Sequence, residues 1–463
     1  MFQEMANDLR GIKEALGPSG IRKIFLAPFL IFQLFISYNY VKNKAIDLKP
    51  FIDEYVSLSS NYHLVKELNF SAGGFLGGTF SVYLTSGPIS AIGSVFGWIA
   101  TNDIFYSRIF NYYWICFLLI ICSYTLIKKI GLSNRYVWIF PLIVCFTIPW
   151  WQGILYSLGE IPSVILITTA MLLFNKSRKL SLLLFGFSIF LGKLLNILIF
   201  AIFYLTHLNH SRSLKTIFKD FVYFLIPLIP WLTLIQFTYN DGGLIKYFFD
   251  LYYFVGDSNA SGIENDNFSL TSLKQAILLS EYSQWNIYEK IRIGIIPILG
   301  SLLILKNRKI LDLKFGYVTI PIFLSLISTY LWFWILNPLK WMRYSQHFTA
   351  IIIFLLLYLI IFDIFEKKYD FLAGSYLLIF YLDNTKKYLI YFLILITVSY
   401  FIKNTNVFKA SLIYIVAILM TLDITAGVIR KGFREVSSLE LQACNTSLNN
   451  DECRDSYFEI LNE

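Results

Sequence analysis

Arg22-Lys-Ile-Phe-Leu-Ala-Pro-Phe-Leu-Ile-Phe-Gln-Leu-Phe-Ile-Ser-Tyr-Asn-Tyr-Val41 sets a pair of cations against an apolar run of membrane-crossing length. A hydrocarbon core of roughly 30 Å needs about 20 residues of helix, with some tolerance on the short side. Arg10 and Lys13 stand just upstream, and positive charge this close to a span favours the cytoplasmic side. Residues 1–23 are therefore predicted inside, and a first span at about 24–41 exits to the outer face. The run lacks a small-residue cleavage site, which reads as a retained span rather than a signal peptide.

Comparable runs recur to about residue 428. The chain of 463 residues is 57% hydrophobic and only 15% charged, with 43 Phe and 31 Tyr, a balance that excludes an ordinary water-soluble domain. The predicted fold is all-α, a polytopic transmembrane helical protein of about 11–13 spans. One integral domain covers 24–428 and a polar tail follows at 429–463. The net charge of +9 sits largely in short loops such as Lys128-Lys-Ile-Gly-Leu-Ser-Asn-Arg135 and Asn175-Lys-Ser-Arg-Lys179. There it sets orientation and attracts anionic lipid, which argues against a nucleic-acid partner. Cys116, Cys122 and Cys145 fall in apolar runs as packing residues, whereas Cys444 and Cys453 bracket part of the tail as either a disulfide or two free thiols.

The first outer loop, 42–108, carries Lys49-Pro-Phe-Ile-Asp-Glu-Tyr55, an acidic pair near the membrane. Farther along, Thr85-Ser-Gly-Pro88 opens a moderately apolar stretch ending at Thr101, read as a helix lying in the interface with Pro88 in its first turn. The run 180–207 is too long for one comfortable span. Two short helices turning near Lys193 would satisfy the charge rule and put that lysine near the outer face; one tilted helix with a snorkelling lysine is the alternative. A second outer loop, 240–289, holds Asp241, Asp250, Asp257, Glu264 and Asp266. A later span delivers Asn337-Pro-Leu-Lys-Trp-Met-Arg-Tyr-Ser-Gln-His-Phe348 to the same side, and the uncertain crossing of 371–382 leaves the tail's side open.

Asp53 and Glu54 are the candidate catalytic residues, because a carboxylate partly desolvated at an interface can act as a base near neutral pH. Lys340, Arg343 and His347, with Lys193, form a candidate cationic grip, since guanidinium and ammonium groups stabilise charge building on a phosphate leaving group. Glu160 begins a helix, where the dipole favours an acid in any case. Asp103 and Arg108 read as an ion pair or cap. His63 is a first-loop histidine, and Asn69, Asn259 and Asn267 begin Asn-x-Ser triplets. No phosphate-binding Gly-rich loop, HExxH or paired CxxC is present. The loop acids could bind a divalent metal, although nothing in their spacing fixes a ligand set.

Asp53-Glu-Tyr55 after the first span, Thr85-Ser-Gly-Pro88 ahead of Trp98, Arg108 before the next secure span and Arg343-Tyr344 opening a late one share an order. In that order the chain, to about residue 365, resembles the C-type (GT-C) membrane glycosyltransferase superfamily, in particular the protein O-mannosyltransferase and lipid A aminoarabinose transferase group. The resemblance implies a polyprenyl-phosphate sugar donor drawn from the bilayer and transfer to a glycan, lipid or protein hydroxyl on the extracytoplasmic face, with inversion. It further implies a multi-pass protein of the bacterial plasma membrane. Asp53 would match the first-loop catalytic acid, Glu54 its neighbour and Arg343 a residue near the donor phosphate, with Lys193 a looser match. Lys340, His63, Tyr344 and Glu160 complete the candidate substrate-binding set. The chain departs from the pattern in Lys340-Trp-Met before Arg343, in Ser345-Gln-His after Tyr344, and in having no large C-terminal soluble domain. A transporter or flippase of a lipid-linked saccharide, or a polysaccharide polymerase or ligase, would share the membrane character and the outer cations.

Overall fold

The computed structural model describes residues 31–48, 52–68, 82–101, 103–132, 137, 150–208, 213–239, 242–256, 270–337, 340–382, 388–402 and 404–433. Among them the architecture is all-helical, and the one pairing of extended backbone is an isolated antiparallel bridge between Ser86 and Lys193. Helix α1 spans 31–47, followed by α2 (Ile52–Glu67), α3 (Ile92–Thr101), α4 (Ile104–Ile130), α5 (Trp150–Leu155), α6 (Glu160–Leu173), α7 (Arg178–Phe190) and α8 (Asn196–Leu208). Next come α9 (Leu214–Leu225), α10 (Leu228–Thr238), α11 (Gly243–Gly256), α12 (Leu270–Leu279), α13 (Glu281–Gln284), α14 (Ile287–Lys306) and α15 (Arg308–Phe315). The chain continues through α16 (Thr319–Leu331), α17 (Gln346–Ile361), α18 (Lys368–Ile379), α19 (Tyr388–Phe401) and α20 (Thr405–Lys431).

Local chemistry sets several of the boundaries. Asp103 caps α4 by accepting the Phe105 amide at 2.7 Å, and the helix ends on Gly131 in the left-handed region, with Lys128 and Lys129 beside its final carbonyls. At the start of α14, Asn286 and Glu289 form a reciprocal capping box. Pro227 has no amide hydrogen to continue the helical ladder, and α9 and α10 meet there at 49°.

At the centre lie α6 and α17, all of whose residues are buried. Apolar around most of their circumference, they have no solvent face to offer and pack against each other, with α4, α7, α14, α16 and α18 around them. Among the described residues four stretches, Ile104–Ile130, Thr319–Leu336, Met342–Ile361 and Thr405–Lys431, are long and apolar enough to cross a membrane. The bent α9–α10 pair makes a fifth if it counts as one span. This is fewer than the 11–13 read from hydropathy. Helices α6, α7 and α8 have 14, 13 and 13 residues, which at about 1.5 Å per residue is roughly 20 Å of helix. Residues 133–149 lie outside the described residues apart from Val137, as do the start of the first span and residues 434–463 with Cys444 and Cys453.

The run 180–207 is two helices, α7 and α8, turning through residues 191–195. The stretch ending at Thr101 forms a helix, α3, of only 10 residues packed against α4. Cys116 and Cys122 are buried in α4.

Candidate functional site

The starts of α6 and α17, the turn between α7 and α8, and two pieces of the predicted first loop meet at one end of the bundle. The Lys193 turn is the junction. Its backbone pairs with residues 85–89: Gly87 N–H donates to Gly192 O at 2.7 Å, Ile89 N–H to Leu191 O at 3.0 Å, and Leu194 N–H to Thr85 O at 3.0 Å. The approach requires glycine. A Cβ on Gly87 would lie 2.3 Å from the Leu191 carbonyl carbon, and one on Gly192 would lie 2.3 Å from Ser163 Oγ.

Lys193 reaches three acceptors on two segments at once. Its ammonium donates to Ser86 Oγ at 2.6 Å and to Leu158 O at 3.5 Å, and lies 3.4 Å from Glu160 Oε1. Glu160, in the first turn of α6, is wholly buried, and among the described residues neither of its carboxylate oxygens has a hydrogen bond of ordinary geometry. The ion pair to the buried Glu160 carboxylate is long at 3.4 Å, while the hydrogen bond to Ser86 Oγ is what positions the ammonium.

A chain of hydrogen bonds then fixes the proton positions around His347. Ser188 Oγ donates to Ser163 O at 2.8 Å, and a backbone carbonyl only accepts, so the single hydroxyl hydrogen is used there. Asn196 must therefore turn its amide nitrogen to Ser188 Oγ, at 2.9 Å, and its oxygen to His347 Nδ1, at 2.8 Å. Nδ1 consequently carries the hydrogen. In the neutral ring, Nε2 is then a lone-pair acceptor; it is buried and without a hydrogen-bond partner among the described residues, in the electrostatic field of Lys193. Gln346, its neighbour, is also buried and leans on the α5 segment, within 2.9 Å of where a Gly153 side chain would begin.

The first loop is clamped to this end a second time. Arg108, in the second turn of α4, is buried and grips Glu54 through Nε to Oε1 at 2.6 Å and Nη2 to Oε2 at 2.7 Å. Its Nη1 donates to the carbonyls of Ala45 and Leu48. The guanidinium lies 5.2 Å from the centre of the Tyr156 ring. One turn along α2 from Asp53, Ser57 Oγ donates to Ser157 O at 2.9 Å, and Leu158, next in sequence, supplies the carbonyl facing Lys193. Helix α2 is thus joined, through the Ser57 side chain, to the Lys193 region by the consecutive residues Ser157 and Leu158 of the turn before α6.

The predicted residues divide accordingly. Lys193 and Glu160 meet directly. Glu54 has both oxygens committed to Arg108, an anchor's geometry, and Arg108 pairs there rather than with Asp103, which caps α4. Asp53 and His63 lie on α2, but their side chains are outside the described residues. Lys340 does not join the Lys193 group: it is fully buried, has φ of 51°, and donates to Asn337 O within its own loop. Burial pushes its ammonium down to about 8. Arg343 lies 4.5 Å from the Trp341 ring centre and 5.1 Å from that of Tyr344, in the single turn of 3-10 helix that runs into α17, four residues before His347. That turn is tied to α13 by Met342 N–H donating to Glu281 Oε2 at 2.9 Å, and burial raises the Glu281 carboxyl.

Ser86, Asn196 and Gln346 have no signature in the sequence. Sequence proximity pairs Arg108 with Asp103, whereas in the fold its partner is Glu54, 54 residues away. Among the described residues no three His, Cys, Asp or Glu side chains gather as a metal site. Of the second-loop acids, Asp250 is taken by Lys246 and Tyr239, while Asp241, Asp257, Glu264 and Asp266 lie outside the described residues, as do the Asn69, Asn259 and Asn267 triplets. No protein-family model, curated protein or solved structure matches the chain.

Proposed function

We propose that the protein is a membrane glycosyltransferase that moves a sugar from a polyprenyl-phosphate donor to a hydroxyl acceptor on the extracytoplasmic side. The observation that carries this reading is the convergence on Lys193: an ammonium with a long ion pair to Glu160, the first turns of two buried helices, and a doubly clamped acidic loop share one end of an apolar bundle. Helix N-termini and an ammonium favour a phosphate over a neutral group. Lys193 would exchange Glu160 for the donor phosphate and stabilise the charge left on it as the glycosidic bond breaks. Asp53, at the start of the clamped helix, would take the proton of the attacking hydroxyl, and Glu54 would hold that helix in place. His347 Nε2 offers a hydrogen-bond acceptor for a sugar hydroxyl. Arg343, one turn ahead of His347, and Tyr344 would meet the donor at the membrane boundary, where the charge pattern puts this end outside.

The finer topology belongs to the same proposal: 11–13 crossings when the short helices pair into spans, first-loop helices in the interface, and residence in a bacterial plasma membrane. A carrier of lipid-linked saccharides is the second reading. The break between α7 and α8 favours it, since broken helices with a cation at the break also suit transport.

Membranes carrying the full-length protein, supplied with radiolabelled polyprenyl-phosphate sugars, separate the two. Transferase activity consumes the donor and releases polyprenyl phosphate, and it should fall by at least about 100-fold in Asp53→Asn and in Lys193→Met. Movement of intact donor between leaflets without cleavage would replace this reading with the carrier. Undiminished cleavage in Asp53→Asn would remove the base assignment.

A further inference from the structure

Among the described residues, helix α11 has an unpartnered face of large aromatic and aliphatic side chains. Ile245, Phe248, Phe249, Tyr252 and Tyr253, spaced i, i+3, i+4, i+7 and i+8, are between 52% and 74% exposed. At about 100° per residue they cover an arc of roughly 140° on one side of the helix. The other side is docked on the bundle. Tyr247 donates to Tyr83 O at 3.2 Å and meets Tyr239 edge to face at 5.5 Å, while the buried Asp250 accepts from Tyr239 at 2.9 Å and pairs with Lys246. The stripe is therefore carried by a helix with a fixed rotation.

Connectivity sets its level. Helix α10 is the second limb of the bent pair that makes one candidate span, and Phe237 near its end is exposed. Gly243 N–H donates to Tyr239 O at 2.9 Å, and Leu244 N–H donates to the Gln236 side chain at 3.2 Å, so α11 starts within one turn of where α10 stops. With 14 residues, or roughly 21 Å of helix, α11 is too short to cross a core of about 30 Å by itself. An aromatic stripe on a short helix at the end of a span fits the headgroup boundary, where tyrosine rings have an apolar body in lipid and a hydroxyl in the wet layer.

We infer that α11 lies in the plane of the membrane interface with Ile245, Phe248, Phe249, Tyr252 and Tyr253 facing the lipid. This rests on the chain being a membrane protein and not on the transferase reading. Lys246 is neutralised by Asp250, four residues on, so the stripe binds through apolar and aromatic contact and not through anionic headgroups. Docking through Tyr83, three residues before Ser86, ties the lipid-facing helix to the Lys193 junction.

The experiment is nitroxide scanning of the full-length protein, with Cys145, Cys444 and Cys453 replaced by serine, in phosphatidylcholine vesicles. Labels go singly at Ile245, Phe249 and Tyr252, with references at Lys246 and at Phe117, exposed midway along α4. Collision rates with oxygen and with a water-soluble nickel chelate report depth. The oxygen-to-nickel ratio should be several-fold higher at all three stripe positions than at Lys246, yet below that at Phe117, and unchanged by added phosphatidylglycerol. A ratio equal to that at Lys246 means water, one equal to that at Phe117 means a crossing helix, and protection from both reagents means protein cover. Each of these overturns the inference, and so does a requirement for phosphatidylglycerol.

Discussion

Replacing Arg108 by methionine is the most direct test of how the first loop is held. The guanidinium makes two charge-assisted bonds to Glu54, at 2.6 and 2.7 Å, and two more to the carbonyls of Ala45 and Leu48, with both side chains essentially out of contact with water. Arg108→Met leaves a buried carboxylate without its counter-charge, a loss of about 3–5 kcal/mol. The two carbonyls lose their donor as well, at about 1–3 kcal/mol apiece if they stay dry. In the double variant Glu54→Leu/Arg108→Met the uncompensated charge is gone and only the carbonyl loss remains. The double variant should therefore be more stable than Arg108→Met alone, a large negative departure from additivity. Equilibrium unfolding in mixed detergent–SDS micelles, followed by circular dichroism, measures the wild type, Arg108→Met, Glu54→Leu and the double variant. A loss below about 1 kcal/mol in Arg108→Met would show that the pair is hydrated and weak, and additive single and double variants would show that Glu54 and Arg108 do not act through each other.

Gly87→Ala should destabilise by about 1–3 kcal/mol, because its Cβ would meet Leu191 backbone that no side-chain rotation can move, whereas Gly294→Ala, in α14 with Trp334 4.0 Å away, should stabilise by about 0.5–1 kcal/mol; thermal melts compare them. The Lys340 ammonium is lowered from 10.5 to about 8, so the unfolded chain takes up its proton first as pH falls. Stability should be greatest above about pH 10.5, decline between about 10.5 and 8 and level off below, and Lys340→Met should lose that contribution, as unfolding midpoints across the range would reveal. Nitrogen-15 NMR of histidine-labelled protein should find the His347 ring with hydrogen on Nδ1 and none on Nε2, and a ring protonated only on Nε2 would contradict the Ser163–Ser188–Asn196 relay.

Hydropathy made the helical class legible, because a buried helix and a membrane helix leave the same apolar record. For that reason it could not separate the two, and α6, apolar throughout but only 14 residues long, reads as a span while measuring about two-thirds of a bilayer core. The turn at Lys193 was legible because a lysine after a glycine interrupts a run too long for one crossing. Glu160 and Lys193 were each visible as ionisable residues in apolar surroundings, but their meeting was not. It depends on the crossover between residues 85–89 and 191–194, a pairing of main chain whose only trace in the sequence is a glycine on either side. Lys340 misled for a related reason: its loop supplies a carbonyl that draws the ammonium inward, and such a bond has no side-chain signature.

The polar residues at the starts of α6 and α17 explain why the chemistry concentrates at this end. Both helices are surrounded by protein along their length, so Glu160, Gln346 and His347 find no water and must be met by other protein groups or by a ligand. Protein meets them only in part. His347 is oriented through one ring nitrogen and Lys193 is shared among three acceptors, whereas the Glu160 oxygens, Gln346 Oε1 and His347 Nε2 retain hydrogen-bonding capacity. An apolar replacement would pack at least as favourably as such a half-satisfied network, so stability alone does not account for these side chains. The two clamps on the first loop, one an ion pair and one a main-chain bridge, supply the complementary half of the argument. They restrict a long segment before anything binds, so that a ligand entering beside Lys193 meets groups whose positions are already set and whose ordering it need not itself bring about.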